Sequence, residues 1–136
     1  MPSYGDQLRT VAANMTNVQF PGTYDHAQSG AVFANIDVLV VPSLWYDFPL
    51  VIYEAFATGT PVIATNLGGM AEAVSHDVSG LLFERGDADD LCRQLRRILE
   101  EPGLLERLQA GVPPVKTIAE EVTELEGIYQ GLVSRT

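Results

Sequence analysis

A single carboxylate, Glu54, stands within an otherwise apolar stretch from Val51 to Ala57. Burying an ionised carboxylate without partners is costly, so its position calls for a chemical reason. One interpretation is structural: Glu54 caps a neighbouring backbone group or meets an arginine. The other is functional: the carboxylate accepts hydrogen bonds from the hydroxyl groups of a ligand. The residue types alone favour neither.

The elements around Glu54 predict where that carboxylate lies. Val38–Val41 is a continuous apolar run, typical of a strand buried on both faces, and Pro42 ends it. Val51–Ala57 is predicted to be a helix that Gly59 terminates, and Pro61 begins the next strand. Strand, helix and strand make a parallel βαβ unit. Ligands bind at the edge where such strands end and helices begin, because the free N–H groups of the first helical turn attract anions.

A glycine pair, Gly68-Gly69, follows the second apolar strand and precedes a predicted short helix from Met70 to Val74. Glycine permits a positive φ and a close approach of the backbone to a ligand. The pair is interpreted either as an ordinary strand-to-helix turn or as part of a binding edge. Tyr24 lies in a loop after a predicted short strand, Asn17–Phe20, where a tyrosine commonly packs under its own loop.

Composition limits the class of protein. A length of 136 residues with 46% hydrophobic content fits one domain with a real core. The net charge of −10 disfavours a nucleic-acid partner, whose affinity depends on phosphate neutralisation. The single cysteine, Cys92, excludes an internal disulfide, is expected to be a small core residue, and fits a reducing compartment. No run reaches transmembrane length and no signal peptide is evident, so we expect a cytoplasmic chain, with membrane association only through a longer protein that contains it.

The histidines and acids do not predict a metal site. Glu72 and His76 are expected to be structural and solvated, and the same holds for His26, which has no companion ligands. The last segment shows a capping box at Thr117, followed by apolar residues at helical spacing that predict a packing face. That face consists of Ile118, Val122, Leu125, Tyr129 and Leu132.

Several separately spaced motifs occur in an order that resembles the donor-binding domain of GT-B glycosyltransferases, and most closely the large retaining family GT4. They are Pro42-Ser43, Phe48-Pro49-Leu50-Val51, Glu54-Ala55-Phe56-Ala57-Thr58-Gly59-Thr60-Pro61-Val62-Ile63-Ala64, Gly68-Gly69-Met70-Ala71-Glu72 and Gly80-Leu81-Leu82-Phe83. The resemblance extends from about Asn17 to the C-terminus. Agreement of several motifs in order makes the signal far stronger than a lone glycine motif.

The resemblance implies roles for individual residues. The second acid of the family motif, here Glu54, contacts the nucleotide ribose. The first acid contacts the transferred sugar near its reacting carbon. Eight positions before Glu54 stands Tyr46, and Asp47 takes the place of that first acid in a loop that looks one residue shorter. The catalytic candidates are thus Asp47 and Glu54. In the family, the loop equivalent to the one that carries Tyr24 lies close to the nucleotide base, so Tyr24 either stacks on a base or packs under its own loop. The substrate-binding candidates are Tyr24, Tyr46, Phe48, Pro49, Leu50, Val51, Glu54, Gly68, Gly69 and Met70. No cofactor or metal is implied.

The resemblance also implies parts that these residues do not contain. The family's enzymes have an N-terminal GT-B domain that holds the acceptor, and two further strands in the donor domain, with an Arg and a Lys on the donor phosphates. Residues 1–136 are therefore expected to be a partial C-terminal domain with a nucleoside-diphosphate sugar as its partner. We expect it to be inactive as an isolated chain, and the acceptor stays unknown. The alternatives are a non-catalytic nucleotide-sugar-binding or assembly module, and an unrelated flavodoxin-like domain.

The expected fold is α/β, a Rossmann-like three-layer α/β/α domain with a short parallel sheet of about four strands. In the family, the two absent strands lie between those that Asn17–Phe20 and Val38–Val41 resemble. Asn17–Phe20 is expected to close directly against Val38–Val41 and so satisfy its ladder groups. The alternative is a homodimer in which Val38–Val41 pairs with a second copy.

Overall fold

A computed structural model describes residues 1–45 and 49–134 of the chain. Its regular elements are α1 (Tyr4–Val11), a 3-10 helix (His26–Gln28), α2 (Ser29–Ala34), β1 (Leu39–Val41), α3 (Leu50–Ala57), β2 (Val62–Thr65), α4 (Gly68–Ala73), β3 (Gly80–Phe83), α5 (Ala88–Glu100), α6 (Leu104–Ala110) and α7 (Ile118–Val133). The three strands form one parallel sheet in the order β1-β2-β3. The predicted α/β class and the βαβ unit built from β1, α3 and β2 are confirmed.

Helices cover both faces of this sheet, as the expected three-layer arrangement requires. Alternate residues of β2 point to opposite sides, so Val62 and Ala64 join one core cluster and Ile63 joins the other. The first cluster contains Phe33 of α2, Ile52, Ala55 and Phe56 of α3, and Met70 of α4. The second contains Leu81 and Phe83 of β3 with Leu104 and Leu108 of α6, and Leu91 and Ile98 of α5 pack against it.

The predicted fourth strand, Asn17–Phe20, does not form, and its expected closure against Val38–Val41 is wrong. All four residues lie within the described part of the chain and are exposed, with Val18 at 40% and Phe20 at 43%. The Phe20 ring lies beneath the Arg9 guanidinium, whose carbon is 5.5 Å from the ring centroid. A segment that buries so little apolar surface does not offset the entropy of ordering it as a strand. In the described residues β1 therefore pairs with β2 alone.

Two further expectations about packing are also wrong. Cys92 is exposed, because the inward face of α5 turns Leu91, Gln94 and Ile98 toward the sheet. The helix predicted after Thr117 does form, and its capping box is present, with Thr117 Oγ1 accepting from Glu120 N–H and the Glu120 carboxylate accepting from Thr117 N–H. Yet no residue of α7 is buried. Its periodic apolar face is left uncovered in the described structure.

Among residues 1–45 and 49–134, no helix combines the length and apolar character needed to cross a membrane.

Candidate functional site

The candidate site lies at the edge of the sheet where the strands end. The chain leaves β1 at Val41 and enters α3 at Leu50, and it leaves β2 at Thr65 and enters α4 at Gly68. Because the strands are parallel, both helices begin at the same edge, which is where α/β sheets bind ligands. Tyr46, Asp47 and Phe48 lie in the first of these connections and outside the described residues, so their roles stay predictions.

Glu54 projects from the second turn of α3 with its side chain 37% exposed. A carboxylate that reaches solvent needs no buried partner, so the difficulty that its sequence position raised does not arise. In the part of the chain that the structure describes, its ionic contact is with His26, whose Nδ1 lies 4.0 Å from Glu54 Oε1. Neither of the predicted structural partners, a capped backbone group or an arginine, appears among the contacts of the described residues.

Tyr24 lies on the loop that leads to His26 and is 47% exposed. That exposure argues against a ring packed wholly beneath its own loop. Because His26, two residues further on, reaches Glu54, the loop approaches the same helix that carries the candidate carboxylate. Sequence reasoning set His26 aside as solvated and missed this contact, which no local pattern indicates.

Pro49 and the first residues of α3 form the next part of the site. Pro49 has an extended backbone (φ −72°, ψ 117°) and its carbonyl accepts from Ile52 N–H at 3.1 Å, which starts the helix. Leu50 is 74% exposed, and Val51 is half-buried. The N–H groups of a first helical turn have no acceptor within the helix, so this end of α3 suits an anion.

The predicted glycine turn is formed at the start of α4. Gly68 has a positive φ of 50°, which only glycine adopts without strain. The turn is held by Asn66 N–H, which donates to Phe83 O at 2.8 Å, and by Leu67 N–H, which donates to Thr65 O at 2.8 Å. Gly69 is buried beside it.

Met70 differs from the other candidates because its side chain is fully buried in the first core cluster. Its backbone groups are also engaged, since its N–H donates to Leu67 O at 3.2 Å and its carbonyl accepts from Val74 N–H at 2.9 Å. Its assignment as a substrate-binding residue stays a prediction. The packing indicates that Met70 stabilises the glycine turn from the core side.

Thr65 is a second residue at this edge that the sequence did not single out. It ends β2 with no exposed surface, and its Oγ1 has no hydrogen-bond partner among the described residues. A buried hydroxyl without a partner is unusual and costs free energy.

The loop after β3 is fixed by Asp90 of α5. The Asp90 carboxylate accepts from Glu84 N–H at 2.8 Å and from the Arg93 guanidinium at 2.6 Å, while Asp90 N–H donates to Asp87 Oδ1 at 2.9 Å. The hydrogen bond from Glu84 is the main reason that the pKa of Asp90 lies below its ordinary value. This third strand-to-helix connection is thereby held at the same edge as the candidate site.

Metal ligands are not assembled in the described residues, which contain no group of three or more His, Cys, Asp or Glu side chains placed to hold an ion. The basic residue nearest the start of the chain, Arg9, lies over Phe20 and 3.7 Å from Asp6.

Comparison with curated proteins places the chain among glycosyltransferases. It is 47% identical over 74 residues to D-inositol 3-phosphate glycosyltransferase of Streptomyces bingchenggensis, covering 54% of this chain and 16% of that protein. It is 35% identical over 89 residues to glycogen synthase of Mycobacterium tuberculosis, covering 65% of this chain and 22% of that protein. The chain thus spans about a fifth of the length of the curated relatives it matches.

Solved structures with the same fold are GT-B glycosyltransferases. Sucrose-phosphate synthase from Thermosynechococcus elongatus matches with a TM-score of 0.73 at 30% identity, covering 96% of this chain and 34% of that chain. Anabaena Alr3699/HepE, in complex with UDP-glucose, matches with a TM-score of 0.75 at 25% identity, covering 96% of this chain and 37% of that chain.

The family profile described as Glycosyl transferases group 1 matches residues 6–113, which contain every described element of the candidate site. The parallel sheet, the position of the helix starts at its edge and the glycosyltransferase relatives all agree with this match. The chain belongs to the glycosyl transferases group 1 family, of GT4 type.

Proposed function

We propose that this chain is the donor-binding part of a glycosyltransferase. The enzyme moves a sugar from a nucleoside-diphosphate sugar to an acceptor hydroxyl and retains the configuration at the transferred carbon. The observation that carries the proposal is the placement of Glu54 and Gly68 at one edge of a sheet whose structural match, Alr3699/HepE, is complexed with UDP-glucose.

In this proposal, different described residues contact different parts of the donor. The Glu54 carboxylate accepts hydrogen bonds from the ribose, for which its exposed position on α3 is suited. The N–H groups at Leu50 and Val51 face the departing diphosphate, since the amino end of a helix stabilises negative charge. Gly68 and Gly69 let the backbone approach the diphosphate and the sugar.

The remaining candidates complete the proposal on the side of the sugar. Asp47 stands near the reacting carbon, and Tyr46 and Phe48 line the same loop. All three lie outside the described residues, and their assignment rests on the family motif. Tyr24 stacks on the base, and its half-exposed ring leaves a face for that contact.

We place these residues in a partial C-terminal domain, 1–136, of a cytoplasmic enzyme. Support for a partial domain comes from the structural matches, of which this chain covers 34% and 37%. The acceptor and the rest of the interdomain cleft then belong to polypeptide outside these residues. The isolated chain should not transfer sugar, because transition-state stabilisation requires both substrates to be held in position.

Calorimetric titration of the chain with UDP, GDP and ADP tests the donor site. We expect weak binding of at least one, with a Kd of about 0.1–1 mM, because these residues are expected to lack the Arg and Lys that the family places on the donor phosphates. Glu54→Gln should weaken that binding about tenfold, since hydrogen bonds to an ionised acceptor are stronger than those to an amide. Glu106→Gln, the same change at an exposed position of α6, is the matched control and should bind like the wild type.

Two results would contradict this assignment. Submicromolar affinity for any of the three nucleotides would show that the phosphate-binding residues are dispensable. Equal affinity of the Glu54→Gln and Glu106→Gln variants would remove Glu54 from the site.

The alternative, a non-catalytic nucleotide-sugar-binding or assembly module, is separated by an activity measurement. Turnover of a labelled nucleotide sugar by this chain, lost in Glu54→Ala, would establish an active enzyme and refute both that alternative and the expected inactivity of the isolated chain. Absence of turnover in a protein two to three times longer that contains this domain would favour the module.

A further inference from the structure

A histidine from another helix reaches the carboxylate that we assign to the ribose. His26 Nδ1 lies 4.0 Å from Glu54 Oε1, although His26 opens the 3-10 helix and Glu54 lies in α3. Among the described residues, His26 is the one nitrogen-bearing side chain that the ion pairs within 4.0 Å give to Glu54. The contact therefore joins the loop that carries Tyr24 to the helix that carries Glu54.

Local hydrogen bonds, rather than burial, hold His26 in this place. Asp25 N–H donates to Gln28 Oε1 at 3.1 Å, and Ser29 Oγ donates to His26 O at 2.7 Å. The helix α2 follows directly and buries Phe33 against α3 in the first core cluster. The backbone at His26 is thus linked to α3 on its C-terminal side, through α2.

Packing does not explain why the imidazole stands there. The His26 side chain is 92% exposed, so its truncation removes almost no buried surface. The Glu54 side chain is 37% exposed, so it does not require a partner for its own desolvation. Because the proposed function assigns Glu54 to the donor, the imidazole beside it lies close to the same ligand.

We infer that His26 is a positioning residue for the donor, acting through Glu54; this inference rests on the proposed function. The terminal torsion of a glutamate is broad, and its carboxylate has two oxygens for ligand and protein donors. An N–H at His26 Nδ1 that engages Oε1 fixes the plane of the carboxylate and leaves Oε2 for a ribose hydroxyl. The 4.0 Å separation exceeds a hydrogen bond, and contacts of this kind tighten when the substrate binds.

The test uses whichever of UDP, GDP or ADP the 136-residue chain binds, together with its 2′-deoxy analogue. His26→Ala should raise the Kd of the ribonucleotide about fivefold, within the range of coupling between neighbouring groups. The preference for the ribonucleotide over the 2′-deoxy analogue should fall toward one. His26→Gln, which keeps an N–H donor, should recover part of both effects.

Coupling between the two side chains is the second measurement. If His26 acts through Glu54, the double variant His26→Ala, Glu54→Gln should bind the ribonucleotide no more weakly than Glu54→Gln alone. Gln109→Ala, an exposed change on α6, serves as the control and should leave binding and its ribose preference unchanged. All variants should unfold at the wild-type temperature, because none of these side chains is buried.

The possible outcomes distinguish a failure of this inference from a failure of the proposed function on which it rests. Suppose that the chain binds a nucleotide through Glu54. If His26→Ala then leaves the affinity unchanged, or weakens the ribonucleotide and its 2′-deoxy analogue equally, the inference alone is overturned. Additive losses in the double variant would do the same. A chain that binds none of the three nucleotides would overturn both the inference and the proposed function.

Discussion

Replacement of Gly80 by alanine is a direct probe of the sheet that supports the site. Gly80 begins β3 and lies opposite Val62 of β2, fully within the interior. A Cβ at this position would stand 1.9 Å from Val62 O, 2.9 Å from Val62 C and 2.9 Å from Val74 Cγ1. The first two contacts are with backbone, so no side-chain rotation relieves them.

The size of the effect follows from this overlap. Real Cβ atoms essentially never come within 3.0 Å of such neighbours, so β3 has to move away from β2 by about 1 Å. The hydrogen bond from Val62 N–H to Ser79 O, already 3.4 Å long, would then be lost. Overpacking of about 1–3 kcal/mol and one or two ladder bonds of about 1 kcal/mol each give a loss of about 2–5 kcal/mol.

Urea unfolding followed by far-ultraviolet circular dichroism measures this loss. Small domains have a total stability of about 5–15 kcal/mol, so Gly80→Ala should unfold at a much lower urea concentration, and its Tm should fall by roughly 10–20 °C. Gly127→Ala is the matched control, because a Cβ there meets no atom within 4 Å and α7 is helical. That variant should keep the wild-type stability or gain up to about 1 kcal/mol. A Gly80→Ala midpoint equal to that of the control would refute the close approach of β2 and β3.

Two other variants test side-chain hydrogen bonds that hold the fold: one in the loop after β3 at the site edge, the other between the start of β2 and α2. The hydrogen bond from Glu84 N–H, in the loop after β3, holds the pKa of Asp90 below its ordinary value of 3.8. The ionised carboxylate therefore stabilises the fold above that pH. This stabilisation is lost as the pH falls through the pKa of Asp90 in the folded protein. Asp90→Asn should therefore unfold earlier than wild type in urea at pH 7, with the gap closing in acid, whereas exposed Asp89→Asn should show no gap. Thr60→Val removes a buried hydroxyl that donates to Phe33 O at 3.0 Å and should cost about 1–2 kcal/mol in urea unfolding, while Thr10→Val, exposed on α1, should cost less than about 0.5 kcal/mol.

The parts of the fold that the sequence predicted are those encoded locally. Val38–Val41 is a continuous apolar run, and Val51–Ala57 is apolar except at Glu54; each forms the predicted element within one residue. The capping box at Thr117 is formed as well, because the residues that make it are only three positions apart.

Contacts between distant segments were not predictable in the same way. Asn17–Phe20 has strand-forming residues, but a strand forms only where a neighbouring strand offers backbone hydrogen bonds. In the described structure β1 makes no such hydrogen bonds to this segment. The approach of His26 to Glu54 depends on how α2 packs on α3, which is set by Phe33 in the core. Thr65 gave no signal because its unpartnered hydroxyl becomes evident only once burial is known.

The last helix shows the limit of periodicity as a predictor. The spacing of Ile118, Val122 and Leu125 indicates which side of α7 is suited to burial, yet these side chains are 85%, 47% and 44% exposed. A periodic pattern reports the face that a helix buries and contains no information on what covers it. The candidate site differs in this respect. Glu54 and Gly68 lie in the connections of one βαβ-type sheet, so the topology itself brings them to one edge without a partner surface. That is why the meeting of the α3 and α4 starts at one edge could be predicted from the sequence, whereas the surroundings of α7 could not.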